Sequence, residues 1–252
     1  MRLLRDILII FRRQVRHSLR VPMTLVLGLM QPVLYLVLFG PLFSRVSASF
    51  GAEATGWQLF VPGLLVQLGL FSSSFVGFGI IGELRSGLVE RFRVTPVSRL
   101  ALLLGRVLRD ACLLGLQAIV LLAAATALGL RAPLPGMVIG IGLIVVLAIG
   151  LSSLSYTLGL LTREEFLFAP ALNMVLLPVL LLSGILLPMT VAPPWLRALS
   201  RVNPLAHLVD AMRDVFLGRY ATWNVAVGTA AVVLLAVCSV AVATRMFLRE
   251  NA

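Results

Sequence analysis

The chain has 252 residues, of which 60% are apolar and only 12% are charged, and its net charge is +11. An average soluble domain carries roughly 25% charged residues, so a water-exposed globular fold is excluded because too few charges are present to cover its surface. All 21 basic residues are Arg. Without Lys the chain cannot contain a nucleotide-binding P-loop or form a lysine Schiff base.

The charges divide the chain into long apolar stretches. A helix needs roughly 20 apolar residues to cross a bilayer, and six stretches reach that length. The stretches that lack Asp, Glu and Arg are residues 21–44, 54–82, 111–130, 132–162, 166–196 and 220–244. The sequence therefore predicts an all-α polytopic membrane protein with six transmembrane helices, in one transmembrane domain over residues 1–252. Cys112 and Cys238 fall within these stretches, and we interpret both as buried apolar residues rather than as a disulfide.

The first 20 residues have the pattern of an amphipathic helix. Six arginines fall on one side of a helical wheel, opposite a mostly apolar side. They are Arg2, Arg5, Arg12, Arg13, Arg16 and Arg20. Such a narrow cationic stripe predicts a helix over residues 1–20 that lies in the plane of the membrane interface. The alternative is a positively charged, disordered tail that only sets the topology.

The distribution of the arginines along the chain predicts the orientation of the spans. Fifteen arginines lie in the two termini and in the loops on the same side of the membrane, and six lie in the loops on the other side. Loops rich in Arg remain in the cytoplasm, so both termini are expected there. Six is an even number of spans, which also requires both termini to lie on the same side of the membrane.

Uncharged polar residues inside the apolar stretches are candidates for a transport path. We assign Gln31, Tyr35, Gln67, Ser73, Asn173 and Ser183 to this group. The alternative for each residue is a hydrogen bond between neighbouring spans. The stretches themselves lack Asp, Glu and Arg, which argues against an ion-coupled carrier because such carriers normally place ionisable residues in the membrane. We also predict no metal site and no catalytic residues, since no suitable grouping of residues is visible.

Residues 83–110 form an internal segment dense in charges of both signs. Glu83 and Glu90 are seven residues apart with Gly87 between them, so all three share one face of a helix, and Pro96 ends it. We interpret the segment as a cytoplasmic coupling loop that docks against a soluble partner. The alternative is an ordinary positive loop that only fixes the topology.

Residues 188–222, between the fifth and sixth stretches, are too long for a hairpin and too apolar for a loop. Asn203 and Pro204 are typical of a helix start, since Asn is a good N-cap and Pro is favoured at the first helical position. Apolar residues follow at helical spacing, with Arg213 expected to face away from them, and Gly218 suits the end of the helix. We therefore predict that residues 188–222 form one or two short external re-entrant helices that dip into the outer leaflet.

These two segments resemble the hallmark motifs of the permease subunit of bacterial type-2 ABC exporters, the class that includes daunorubicin-resistance and polysaccharide exporters. The resemblance covers the whole chain. The ATPase-coupling residues are Glu83, Arg85, Gly87, Glu90, Arg91 and Pro96, and the external helix motif contains Pro188, Trp195, Asn203, Pro204 and Arg213. Leu88 departs from the family pattern, in which many relatives have a small polar residue after the glycine.

The resemblance implies a half-transporter that works with other chains. Two permease copies, as a homodimer or with a close homologue, would assemble with two copies of a separate ABC ATPase subunit that holds ATP and Mg²⁺. This chain would then need no cofactor, catalyse no reaction and bind no nucleic acid. It would lie in the lipid bilayer of the bacterial cell (inner) membrane.

The function implied by the resemblance is ATP-driven export of an amphipathic or hydrophobic compound, such as a drug or antibiotic. One alternative is export of a polysaccharide or lipid-linked glycan, although three Tyr and three Trp are few aromatic residues for a glycan path. A second alternative, from a different class, is a membrane scaffold or sensor that transports nothing. A neighbouring gene for an ATPase would favour an exporter over a scaffold.

Overall fold

The computed structural model describes residues 2–20, 22–49, 56–85, 99–162, 164–185, 189 and 192–249, and every long regular element in these ranges is a helix. In chain order we number these helices α1 (Arg2–Arg20), α2 (Pro22–Ser49), α3 (Gly56–Ser74), α4 (Gly77–Arg85), α5 (Arg99–Leu128), α6 (Leu134–Thr162), α7 (Glu165–Leu181), α8 (Pro194–Ser200), α9 (Pro204–Phe216) and α10 (Trp223–Arg249).

Four helical segments in the described ranges are long and apolar enough to cross a membrane. They are Gly56–Arg85, Leu100–Leu128, Leu134–Thr162 and Trp223–Phe247. Two shorter apolar segments, Gly28–Phe43 and Glu165–Leu181, lie where the sequence predicts the first and fifth spans. The prediction of an all-α polytopic membrane protein is therefore confirmed, and the number of six spans stays a prediction.

Helix α3 lies at the centre of the bundle. Its residues are buried without interruption from Phe60 to Leu70, because the helix packs against α2, α5, α6 and α9. A helix that is apolar on all sides is expected in such a position, since every face contacts another helix. The hydrophobic core therefore forms around α3, and the other helices surround it.

Glycine allows a close approach between α4 and α6. A Cβ atom on Gly77 would lie 2.5 Å from the carbonyl oxygen of Ser155 and would also press against the ring of Phe168. The amide of Gly77 donates a hydrogen bond to the Ser155 hydroxyl at 2.8 Å. Small residues are typical of such contacts between membrane helices, so Gly77 serves helix packing.

The bundle has two opposite ends, of which the first is formed by α1 and the ends of α4, α5 and α7. Helix α1 packs along the first turns of α5. Glu83, near the end of α4, contacts Arg106 of α5, and Arg85 contacts Glu165 at the start of α7. We refer to this region as the Glu83 end.

The opposite end is formed around Trp57, at the start of α3. We refer to this region as the Trp57 end. The side chain of Gln58 donates a hydrogen bond to the carbonyl of Arg131 at 2.7 Å, which joins α3 to the connection between α5 and α6. The last turn of α9 also reaches this end, where the carbonyl of Val215 lies against Gly136.

The third apolar stretch is only the later part of a longer helix, whose first turns carry charged residues. Helix α5 begins at Arg99, so Arg106, Arg109 and Asp110 belong to the same continuous helix as the apolar stretch that starts at Ala111. Arg106 and Asp110 are buried. An apolar stretch marks only the part of a helix without charges, because charged residues that pair with one another can also be buried in a membrane protein.

Both cysteines are exposed, which contradicts their interpretation as buried residues. Cys112 lies in α5 and Cys238 in α10, where large apolar residues such as Leu116 and Val237 are exposed as well. Lipid is as apolar as the protein interior, so the sequence cannot distinguish a lipid-facing position from a buried one.

Candidate functional site

The first residue of the predicted coupling segment, Glu83, is ion-paired within the chain. Its carboxylate accepts a hydrogen bond from the guanidinium of Arg106 on α5. The Arg106 side chain is only 6% exposed, and that of Glu83 is 26% exposed. A buried guanidinium needs a carboxylate partner because an unpaired buried charge is costly. The pair therefore fixes the end of α4 to the helix that follows the loop.

A second charged group lies one turn further along α5. Arg109 pairs with Asp110 at 2.7 Å, and the hydroxyl of Tyr156 on α6 donates a hydrogen bond to the other Asp110 oxygen at 2.5 Å. Arg109 also donates to the Tyr156 oxygen at 3.2 Å and to the hydroxyl of Ser18 on α1 at 3.4 Å. Because its members come from three helices, the group connects α1, α5 and α6 at the Glu83 end.

This group is not among the site residues predicted from the sequence, although the sequence contains a signal for it. Arg106, Arg109 and Asp110 have the spacing i, i+3 and i+4, which places them on one helix face. They also precede an apolar stretch directly, so the face that carries them continues into the core. The partner Tyr156 has no comparable signal, because its position depends on how α6 packs against α5.

Arg85 forms a weaker contact at the same end. It lies 3.6 Å from Glu165, and the two side chains are 55% and 50% exposed. Exposed ion pairs contribute about 0–1 kcal/mol, so this contact holds α7 only weakly. The remaining predicted coupling residues, Gly87, Glu90, Arg91 and Pro96, lie outside the described residues.

The residues predicted to line a transport path differ in their exposure. Gln67, Ser73 and Ser183 are buried, Tyr35 is half-buried, and Gln31 and Asn173 are exposed. Ser183 donates to the carbonyl of Leu180 at 2.6 Å, so its hydroxyl is satisfied locally. The side-chain oxygen of Gln67 is buried and accepts no hydrogen bond in the described part of the chain.

The segment predicted to be external folds as two short helices, α8 and α9. Asn203 is the N-cap of α9, since its side-chain oxygen accepts a hydrogen bond from the amide of Leu205 at 3.0 Å, and Pro204 is the first helical residue. The side-chain amide of Asn203 also donates to the carbonyl of Val179 at 2.7 Å. Gly218 follows α9 with φ of 79°, a left-handed conformation that favours glycine. The predicted start and end of this helix agree with the structure.

Arg213 is buried, which corrects the prediction that it faces away from the packed side of α9. Its side chain is 8% exposed. The guanidinium donates to the carbonyl of Leu59 at 3.2 Å and to the carbonyl of Gly184 at 2.8 Å. Arg213 therefore joins α9 to the start of α3 and to the turn that follows α7. The sequence gives no indication that Arg213 is buried, because both acceptors of its hydrogen bonds are backbone carbonyls from distant segments.

The surroundings of Arg213 shift two pKa values in opposite directions. Burial raises the pKa of Asp210, which lies 3.6 Å from Arg213, and the positive charge of Arg213 opposes this effect. Burial lowers the pKa of Arg213, and Asp210 opposes it. Arg stays protonated in proteins because the pKa of its guanidinium lies far above neutral pH. The two hydrogen bonds from Arg213 are therefore charge-assisted.

The two other residues of the predicted external motif are Trp195 and Pro188. Trp195, the second residue of α8, is 68% exposed. Exposed Trp is common where a membrane protein meets the boundary between lipid and water. Pro188 lies outside the described residues.

Residues that could hold a metal ion do not come together in the described ranges. No group of three His, Cys, Asp or Glu side chains is found there. The polar residues that do meet, around Glu83 and around Arg213, hold helices to one another.

The fold and these two polar groups define a polytopic helical membrane protein whose buried charges connect helices. A sequence profile of the ABC-2 type transporter family matches residues 5–217. The chain therefore belongs to the ABC-2 type transporter family, whose members include ABC transporter permeases. The family expected from the two sequence motifs is thus confirmed.

Several relatives are similar to the chain over most of its length. The protein named "Daunorubicin resistance ABC transporter permease protein DrrB1" from Streptomyces coeruleorubidus is 28% identical over 210 residues, which are 81% of this chain and 72% of the relative. The protein named "Probable doxorubicin resistance ABC transporter permease protein DrrC" from Mycobacterium tuberculosis is 24% identical over 77% of this chain and 71% of the relative. The protein named "Putative transport permease ycf38" from Cyanophora paradoxa is 27% identical over 87% of this chain and 76% of the relative.

Proposed function

We propose that the chain is the permease subunit of an ATP-driven exporter that moves amphipathic or hydrophobic compounds, such as drugs or antibiotics, out of a bacterial cell. The observation that carries this proposal is the similarity, over most of the chain, to permeases named for daunorubicin and doxorubicin resistance. The bundle of apolar helices supports it, because an apolar compound can cross the membrane between such helices. ATP-driven uptake of doxorubicin by inverted membrane vesicles is the experiment that tests the proposal.

The proposed topology has six spans, with both termini in the cytoplasm and the chain in the inner membrane. The spans are α2, α3 with α4, α5, α6, α7 and α10. The gathering of α1 and of the ends of α4, α5 and α7 at one end of the bundle supports this arrangement, because the same regions carry most of the arginines expected in the cytoplasm. Helix α1 then lies in the inner interface, and α8 and α9 dip into the outer leaflet.

Reporter fusions test this topology. Fusions after Ala52, Pro133 and Arg201 should report an external location, and a fusion after Arg163 should report a cytoplasmic one. The physical reason is that each successive apolar helix reverses the side on which the following loop lies. An external signal at Arg163, or a cytoplasmic signal at Arg201, would contradict six spans with this orientation.

The segment that contains Glu83, Arg85, Gly87, Glu90, Arg91 and Pro96 is the proposed docking site of the ABC ATPase. The partner would hold ATP and Mg²⁺, because this chain has no Lys for a P-loop. The pair between Glu83 and Arg106 supports a coupling role, since it joins the base of this segment to α5. The group around Arg109 then extends the connection to α1 and α6. A movement of the docked ATPase would in this way reach several helices at once.

A second permease copy is part of the same proposal. Helix α7 supports it, because most of its surface is exposed, including Phe166, Met174 and the polar residue Asn173. An amide that faces lipid would lack hydrogen-bond partners, which is costly in a bilayer. A second copy packed against α7 would cover Asn173 and could place it beside a path between the two permeases. Two permeases would accordingly bind two ATPase subunits.

A further inference from the structure

Helix α1 carries two neighbouring rows of side chains, one exposed and cationic and the other half-buried and apolar. The first row consists of Arg12, Arg16 and Arg20, each four residues from the next. The second row, next to it on the helix, contains Phe11 and Val15. Residues four apart on a helix are neighbours, so each row forms a continuous line. Together the five side chains line an open hollow of about 360 Å³.

The cationic row has no counter-charge among the residues that the structure describes. In the part of the chain that the structure describes, Arg12, Arg16 and Arg20 form no ion pair, and all three side chains are exposed. Like charges four residues apart repel one another and destabilise a helix. An anion bound between them would remove this repulsion.

The apolar row indicates what kind of anion fits. Leu8 continues this row towards the start of the helix and is 60% exposed. An ion such as free phosphate would use the arginines alone and would leave the apolar row in water. A molecule with an anionic group and a hydrocarbon chain would cover both rows at once.

The packing of α1 places the hollow near the start of the apolar part of the bundle. Gly105 of α5 lies against Ile7 and Ile10 of α1, and Arg109 donates its hydrogen bond to Ser18. The apolar stretch of α5 begins directly afterwards, at Ala111. The arginine row is therefore close to the level at which lipid headgroups meet hydrocarbon.

We propose that Arg12, Arg16 and Arg20 bind the headgroup phosphate of an anionic phospholipid, whose acyl chain lies along Phe11 and Val15. The assignment of this lipid to the inner leaflet rests on the proposed function, and the binding site itself does not. Bound lipid would hold α1 against α5 and so support the hydrogen bond between Ser18 and Arg109. The transporter would in this way depend on the charge of the surrounding membrane.

Lipid titration followed by native mass spectrometry of the purified, delipidated full-length chain tests this site. Phosphatidylglycerol should bind more tightly than phosphatidylcholine, and the difference should shrink as salt is raised, because the attraction is electrostatic. The triple variant Arg12→Gln, Arg16→Gln, Arg20→Gln should lower the affinity for phosphatidylglycerol roughly tenfold to a hundredfold. The corresponding triple Lys variant, which keeps the charges, should retain most of the affinity.

The matched control replaces Arg131, Arg197 and Arg201 with Gln. These three arginines are exposed in the other half of the molecule, so their loss removes the same charge without touching α1. Equal binding of the two lipids by the wild-type chain would overturn the proposal, and so would an unchanged preference in the Arg12, Arg16 and Arg20 variant. Displacement of the lipid by millimolar inorganic phosphate would also contradict it, because the site would then recognise phosphate alone. None of these measurements requires the ATPase or transport, so failure of this site would leave the exporter proposal intact.

Discussion

Replacing Arg213 with Ala should detach α9 from the bundle and lower the stability of the whole chain. The change removes two charge-assisted hydrogen bonds, to the carbonyls of Leu59 and Gly184. Each such bond contributes about 1.5–3 kcal/mol, so we expect a loss of about 3 kcal/mol or more. That loss corresponds to a fall of roughly 6 °C or more in the temperature of thermal unfolding in detergent. Limited proteolysis between α8 and α10 should become faster.

Two variants control for this result. Arg213→Lys keeps the positive charge but cannot reproduce the geometry of the guanidinium, so its stability should lie between that of the wild type and that of the Ala variant. Arg131→Ala removes an exposed arginine at the Trp57 end and should leave the unfolding temperature nearly unchanged. An Arg213→Ala chain as stable as the wild type would show that α9 is held without the hydrogen bonds of Arg213.

Replacing Glu83 with Ala should have a comparable effect at the other end of the bundle. The change leaves the guanidinium of Arg106 buried without its carboxylate. Breaking a buried ion pair from one side costs about 3–5 kcal/mol. Because Glu83 is 26% exposed and Asp110 also attracts Arg106, we expect a loss near the lower end of this range. We expect a lower unfolding temperature and, in the complex with the ATPase, a loss of drug-stimulated ATP hydrolysis.

The reversed pair, Glu83→Arg with Arg106→Glu, separates the charge interaction from other effects. It should recover part of the lost stability, since opposite charges again face each other. The matched control is Glu165→Ala, which removes the partner of Arg85 from an exposed pair and should cost about 1 kcal/mol or less. Equal losses for the Glu83 and Glu165 variants would contradict the structural role assigned to the Glu83–Arg106 pair.

The features of the fold that the sequence predicts are those determined by local chemistry. Asn203, Pro204 and Gly218 define the ends of α9 through their own backbone preferences, and the structure agrees with each. Helix α1 likewise follows from a pattern within 20 residues, and its described arginines are exposed as the pattern requires. Such signals need no knowledge of how distant segments pack.

The features that escaped prediction depend on contacts between distant segments. Arg213 is buried because backbone carbonyls from α3 and from the end of α7 accept its hydrogen bonds. Asp110 is buried because Tyr156 and Arg109 satisfy it. The exposure of Cys112 and Asn173 has a different reason. A membrane helix can be apolar on all sides. Its composition then does not indicate which face contacts lipid and which contacts protein.

The most direct test of the proposed export function is transport of doxorubicin into inverted membrane vesicles that contain the chain and its ABC ATPase. Our account predicts accumulation that requires ATP, both proteins and an intact docking segment. Glu90→Ala should therefore abolish it, whereas Glu53→Ala, a loss of the same charge on the external side of the proposed topology, should not. Accumulation by the permease without ATPase would contradict the account. Equally contradictory would be the absence of ATP-dependent accumulation when both folded proteins are present.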